Sequence, residues 1–280
     1  MKRLLIVDGH NLLFQMFFGM PARIVNEQGK AIQGTLGFTG ALLKIIRKVK
    51  PSHIVVLFDG EHENHRTELN SDYKANRIDY SQTTEEETPF SQLPDVYAAL
   101  DYLKINHIEV TDFETDDTIA AYALKYGTDL QIVISSFDSD FFQLVTENVS
   151  VLRYRGENTV ICTPDYIREK FDISPMQYAD FKSLTGDTSD NIKGADKIGV
   201  KTAAVLLKEF GSLENIIHKS DYIKKPSIRD SIKANSDRLR TNYELIKLKD
   251  RAVIPFELDE LVYNYNGITT NEVLKGIGLR

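Results

Sequence analysis

Four short apolar runs in the first 140 residues each lead into acidic residues, and helix-forming stretches separate them. LLIV runs into Asp8 and HIVVLF into Asp59; HIEV is followed by Glu114, Asp116 and Asp117, and LQIVIS by Asp138 and Asp140. Residues 35–49 carry Leu36, Leu42, Leu43, Ile45, Ile46 and Val49 at helical spacing, and Pro51 closes that pattern. Residues 93–105 and 116–126 read as further helices, 141–145 as a short one, and 149–154 as a fifth strand. Strands alternating with helices predict an α/β fold, a mainly parallel sheet with helices on both faces. In such a sheet function gathers at the carboxyl ends of the strands.

Residues 61–89 are polar, lack apolar periodicity and join the second strand to the next firm helix. A long insertion at that edge is a binding loop, a lid or a disordered segment. After Thr163-Pro164, an N-cap with Pro at the first helical position, the pattern turns helical, in short helices between Gly-, Lys- and Asp-rich turns. A domain boundary is expected near residues 171–175, giving domains 1–172 and 173–280.

A lone Asp after a strand is most often a turn former or a helix N-cap. Four consecutive strand ends with acids are harder to explain that way. Without a cation such carboxylates repel and some stay protonated. Hard divalent ions such as Mg²⁺ prefer these oxygens. Two cations ~4 Å apart can hold a phosphodiester between them and need no Ser, Cys or His nucleophile. The six histidines form no HxxxH or Cys/His grouping, which argues against zinc. Neither GxGxxG nor a Walker loop is present. The formal charge of −7 is the wrong sign for a nucleic-acid binder, unless the acids are concentrated in a metal site. One cysteine, Cys162, allows no internal disulfide, and no run approaches the ~20 apolar residues of a membrane span. A cytoplasmic protein with no membrane partner is the expectation.

Residues 184–207, LTGDTSDNIKGADKIGVKTAAVLL, add Asp187 and Asp190 and then a hairpin turned by Gly194 and Gly199. Lys201-Thr202 open an apolar helix, and Lys193 and Lys197 add positive charge. Such a hairpin offers backbone N–H groups to a phosphate. A plain helical hairpin with surface lysines is the alternative.

This set of residues resembles the 5′-nuclease (flap endonuclease) family, including the 5′→3′ exonuclease domain of bacterial DNA polymerase I. The matching pieces are VDG at Asp8, FDG at Asp59, YKANR at 73–77, FETDD at 113–117, FDSD with QLV at 137–145, and GDTSDN…GADKIGVKTA. They span about residues 3–211. The resemblance implies a PIN-like sheet, a helical arch over about 61–92, and a helix–three-turn–helix DNA-binding domain. It implies a stand-alone, monomeric enzyme that cuts DNA near a 5′ end or flap, with a DNA polymerase acting in trans.

It places Asp8, Asp59, Glu114 and Asp116 at a first Mg²⁺ site, Asp117 between the sites, and Asp138, Asp140, Asp187 and Asp190 at a second. Mn²⁺ would substitute. Some bacterial paralogues lack second-site acids; this chain has all of them. Lys74 and Arg77 match residues that contact the scissile phosphate, with Arg66 assisting. Tyr73 would stack on a base or pack internally. Residues 194–201 would grip duplex DNA through Lys193, Gly194, Lys197, Gly199, Lys201 and Thr202, and hold K⁺ on backbone carbonyls.

Four positions depart from the family pattern. Ser136-Phe137 precede Asp138 where Thr-Gly is usual, Asp112 replaces a Gly, and Lys193 replaces a Pro. None removes a ligand, but Phe137 is expected to change the loop beside the second site. Two rival readings remain: a DNA-binding relative with weakened catalysis, and a PIN-type ribonuclease.

Overall fold

The segment RLLIVD forms strand β1 (Arg3–Asp8), with alternate side chains directed to opposite faces of a six-stranded sheet. The other strands are β2 (His53–Asp59), β3 (Asn106–Val110), β4 (Gln131–Ser135), β5 (Val149–Arg153) and β6 (Val160–Cys162), in the order β3-β2-β1-β4-β5-β6. All neighbours are parallel except β5 and β6. The computed structural model describes residues 2–60, 70, 72–76, 88–249 and 252–280. Most of the arch expected over 61–92 lies outside these residues, as do Arg66 and Arg77.

The two faces bury different halves of each strand. Leu5, Val7, Ile54, Val56 and Phe58 pack on α2 (Gln33–Val49) and α3 (Leu93–Tyr102). Leu4, Ile6, Val55, Leu57, Ile132 and Ile134 pack on α4 (Thr115–Tyr126). That second cluster continues without a break through Phe181, Leu184, Leu207, Ile216, Ile232 and Leu239 of the helical half. Apolar burial is therefore shared by the two halves of the chain, which fixes acids from the second half against the sheet edge.

The sheet and its main helices follow the apolar periodicity. Three elements do not. Helix α1 (Gly9–Gly19) follows Asp8 directly; only Gly9, Leu12 and Leu13 of it are buried, so its pattern is faint. Strand β6 has three residues, too few for any alternation to be read. Residues Asp140–Leu144 form a 3₁₀ turn rather than an α-helix. The helical half holds α5 (Pro164–Phe171), capped by Thr163 as expected, α6 (Tyr178–Thr185), α7 (Val200–Phe210) and α8 (Leu213–His218). It then makes one helix of 21 residues, α9 (Pro226–Ile246), where short ones were expected. Its few buried residues lie among charged ones, and tertiary packing supplies what the pattern lacks.

The tail returns to the sheet. Val262 bridges His53, Tyr263 N–H donates to Ser52 O at 2.9 Å, and α10 (Thr270–Gly276) packs on α2 and α3. Between α6 and α7 a two-stranded ribbon, β7 (Gly186–Asp187) and β8 (Ile192–Lys193), carries the second-half acids. Its base is glycine on glycine. Gly186 sits at φ +82°, and a Cβ on Gly194 would lie 2.4 Å from the Thr185 carbonyl carbon and 2.5 Å from Gly186 N.

Backbone cannot move aside as a side chain can, so Gly194→Ala is expected to cost about 3 kcal/mol. Gly199 has extended backbone and nothing within 4 Å of a Cβ built there. Gly199→Ala is therefore expected to cost less than about 1 kcal/mol. Urea denaturation of the two variants checks this; equal losses would contradict it.

Candidate active site: a carboxylate cluster at the sheet edge

Parallel register aligns the strand ends. Asp8 lies opposite Leu57, Val7 opposite Ser135, and Asp59 opposite Val110. Asp8 caps α1, accepting from Asn11 N–H at 3.1 Å, and its other oxygen accepts from Ser136 Oγ at 2.8 Å. Asp59 accepts from Thr115 N–H at 3.3 Å, and its own N–H donates to His10 Nδ1 at 3.0 Å. Glu114 precedes α4, its Oε2 lying 3.4 Å from Lys74 Nζ. Asp116 is half-buried in the first turn of α4. Asp117 is buried beside it and accepts from Lys249 N–H at 2.8 Å.

Beyond β4, Ser136 takes the place of the expected Thr. Its hydroxyl donates to Asp8 and accepts from Asp138 N–H at 3.0 Å, tying β1 to β4. The loop through Phe137 is anchored from three sides. Its N–H donates to Asn11 Oδ1 at 2.9 Å, its carbonyl accepts from Arg153 at 2.7 Å, and the Arg155 guanidinium lies 5.1 Å from its ring centre. Asp138 then accepts from Asp140 N–H at 2.8 Å.

Asp140, Asp187 and Asp190 each place a carboxylate oxygen within 4.8 Å of the others, and all three residues are buried. Among the described residues no other trio of potential ligands meets that spacing. Hard oxygen donors converging from two halves of the chain fit a divalent cation. Asp8, Asp59, Asp116 and Asp138 lie further apart, yet near enough for their charges to act on one another. Lys182 Nζ enters the trio, paired with Asp187 and 3.3 Å from Asp140 Oδ1.

Of the segment expected to form an arch, residues 70, 72–76 and 88–92 are described. Lys74 N–H donates to Asp190 O at 3.1 Å, Asn76 Nδ2 to Thr188 O at 2.9 Å, and Asn191 Nδ2 to Asp72 O at 2.8 Å. This clasp fixes Lys74 beside Glu114, where its ammonium acts on Asp59 and Asp116. Tyr73 is buried against Ala179, Ile192, Leu245 and Ile246, with Lys74 Nζ 4.9 Å from its ring centre. That placement is packing, not an open stacking surface.

In the hairpin Lys193, Lys197, Gly199 and Lys201 are exposed, Thr202 is half-buried, and Gly194 serves the backbone contact described above. Lys193 Nζ lies 3.5 Å from Asp196. Helix α9 braces the hairpin through its carbonyls. Asn242 donates to Lys193 O at 2.9 Å, Arg238 to Gly194 O at 2.8 Å, and Ser231 to Asp196 O at 2.5 Å.

His10, Lys182, Asn76 and Asn191 were not singled out from the sequence, and Ser136 stood out only as a departure from the family pattern. Asn76 and Asn191 stand inside the YKANR and GDTSDN motifs, which was a usable signal. The others act through contacts that only the fold creates.

Burial and neighbouring charge make the cluster costly without cations. Burial, reinforced by Asp59, pushes the Asp8 carboxyl up to about 7. Burial and Asp138 push Asp140 up to about 7 as well. Burial raises Asp116 and Asp138 too, with further upward contributions from their acidic neighbours. Asp59 is also disfavoured by burial, but hydrogen bonds at His10 and Thr115 hold it below the usual range. In the same way Lys182 overcomes burial and holds Asp187 down.

The raised groups bind protons in the folded protein that the unfolded chain releases above about pH 4. Their stabilising contribution is full below pH 4 and is lost as pH rises to 7. Asp59 and Asp187 act oppositely, but only below about pH 4. Thermal melts in EDTA from pH 4.5 to 7.5 should therefore show a falling contribution of about 1 kcal/mol or more, reduced in Asp8→Asn and Asp140→Asn. Mg²⁺ should raise the melting temperature most at the alkaline end. Variants that keep the wild-type slope would contradict this account.

Residues 3–172 match the family described as 5′-3′ exonuclease, N-terminal resolvase-like domain, and 173–268 the 5′-3′ exonuclease, C-terminal SAM fold. DNA polymerase I of Thermus thermophilus is 36% identical over 258 residues, covering 92% of this chain and 30% of that one. DNA polymerase I of Streptococcus pneumoniae is 34% identical over 271 residues, covering 94% and 30%. The chain thus spans about three-tenths of the length of these relatives. Among solved structures, the T5 D15 protein co-crystallised with metal ions is 25% identical, with a TM-score of 0.70 over 88% of this chain and 90% of that one. The catalytic core of Rad2, solved with DNA substrate, shares the fold at 16% identity, with a TM-score of 0.59 over 99% and 92%. With both halves matched in order, and with the acids of both halves brought to one edge, the chain belongs to the 5′-3′ exonuclease family.

Proposed function

We propose that this chain hydrolyses DNA phosphodiesters near 5′ ends and at 5′ flaps, using divalent cations held by the edge carboxylates. The observation that carries this reading is the convergence of Asp140 with Asp187 and Asp190 across the two halves, beside Asp8, Asp59 and Asp116. Mg²⁺ is the natural occupant, given all-oxygen donors, and Mn²⁺ should replace it. When bound, such ions make water a stronger acid and neutralise charge on the phosphate.

The protein's own groups supply the rest. The clasp holds Lys74 at the mouth of the site, where its ammonium can leave Glu114 and pair with the scissile phosphate. Arg77 and Arg66, outside the described residues, are assigned the same kind of contact. Lys193, Lys197 and Lys201, with the uncapped N-terminus of α7, offer charge and N–H groups to duplex phosphates without reading sequence. Gly199 leaves that helix end open to close approach, and K⁺ on hairpin carbonyls belongs to the same reading. No helix among the described residues is long and apolar enough to cross a membrane. We assign the protein to the cytoplasm, as a monomer working with a DNA polymerase in trans.

Incubation with labelled flap, nicked duplex and RNA substrates, in Mg²⁺ or EDTA, tests the reading. Cleavage should be confined to the DNA substrates and need Mg²⁺. Lys74→Ala should lower the single-turnover rate about 10²-fold or more, and Asp116→Asn at least as much. Full activity in either variant would overturn the site assignment, and RNA cleavage alone would favour a PIN-type ribonuclease.

A further inference from the structure

The carboxylate trio is not empty of positive charge. Lys182 reaches it from α6, its Nζ paired with Asp187 Oδ2 and 3.3 Å from both Asp140 Oδ1 and Ser139 Oγ. The side chain is 11% exposed, and those of Asp140 and Asp187 are 12% and 8% exposed. Helix α6 ends at Thr185 and the chain reverses through Gly186, which brings Lys182 back beside an acid five positions later.

A divalent ion bound to Asp140, Asp187 and Asp190 would take oxygens at ~2.1 Å, as Mg²⁺ does. With Nζ where it stands, two cations would then share the same oxygens only a few ångströms apart. The repulsion at that separation in a poorly solvated site is severe. Ion and ammonium are therefore alternatives for one set of carboxylates.

We infer that Lys182 is a built-in counter-ion that occupies the second cation position in the free protein and must be displaced for that position to load. This rests on the nuclease reading and adds to it an order of loading. In the first group the Lys74 ammonium pairs with Glu114 at 3.4 Å rather than standing among Asp8, Asp59 and Asp116, and that group fills first. The trio fills late, when the extra positive charge of a divalent ion outweighs the lost lysine pair. The lysine stabilises the trio before loading and weakens its affinity for the ion.

Direct Mn²⁺ binding without DNA, followed by electron paramagnetic resonance and calorimetry, reads the two classes of site without any turnover. The wild type should bind a first ion and, more weakly, a second. In Lys182→Met the second should bind about tenfold tighter or more, since its competitor is gone. The metal-free variant should also melt lower than the wild type, and Mn²⁺ should restore more of its stability. Lys182→Gln, neutral yet able to donate a hydrogen bond, should shift the second ion the same way and serves if the Met variant does not fold. Second-ion affinity that is unchanged or weaker in a folded variant would overturn the proposal, because a lysine that merely orients Asp187 predicts that loss. A wild type that binds no Mn²⁺ would overturn the nuclease reading and this inference with it.

Discussion

Carboxylates crowded at a partly buried sheet edge repel one another, and the rest of the molecule is arranged to tolerate that repulsion. The parallel register of β1, β2 and β4 puts Asp8 opposite Leu57, two residues before Asp59, and starts the loop to Asp138 and Asp140 beside them. Backbone N–H groups, Ser136 and Thr115 compensate part of the charge, and protons held near neutrality compensate more. Lys74 and Lys182 supply two fixed positive charges, one at each end of the cluster. A site maintained in this state is poised for cations, because ions can replace both the protons and the lysines.

The second constraint is that two halves of the chain must meet accurately. The core that begins on one face of the sheet runs on into α6, α7 and α9. Helix α9 then braces the hairpin by its carbonyls, and the glycine contact between Gly186 and Gly194 sets the ribbon that carries Asp187. From that ribbon the loop through Asp190 and Asn191 clasps residues 72–76. Any shift of the hairpin would therefore be felt at Lys74 and at Asp190 together.

Much of this was legible in the sequence. The central strands announced themselves by continuous apolar runs, since a strand covered on both faces needs no polar alternation. The acids after those strands pointed to the edge where Asp140 meets Asp187 and Asp190, and the ordered motifs identified the family. Helix α1 was not legible because so little of it is buried, and β6 was too short. The partners of the acids were hidden for a different reason. Nothing in the pattern around Lys182 distinguishes a lysine turned inward from one in solvent; only the reversal at Gly186 decides it. Ser136 likewise looked like a departure, yet its hydroxyl makes the hydrogen bonds that join β1 to β4.

The central claim is that these acids form two cation sites spanning both halves of the chain. A crystal soaked in Mn²⁺, with ions located by anomalous scattering, tests it most directly. The account predicts one peak among Asp8, Asp59 and Asp116 and another among Asp140, Asp187 and Asp190. An edge without manganese at either position, or ions bound only elsewhere, would contradict it.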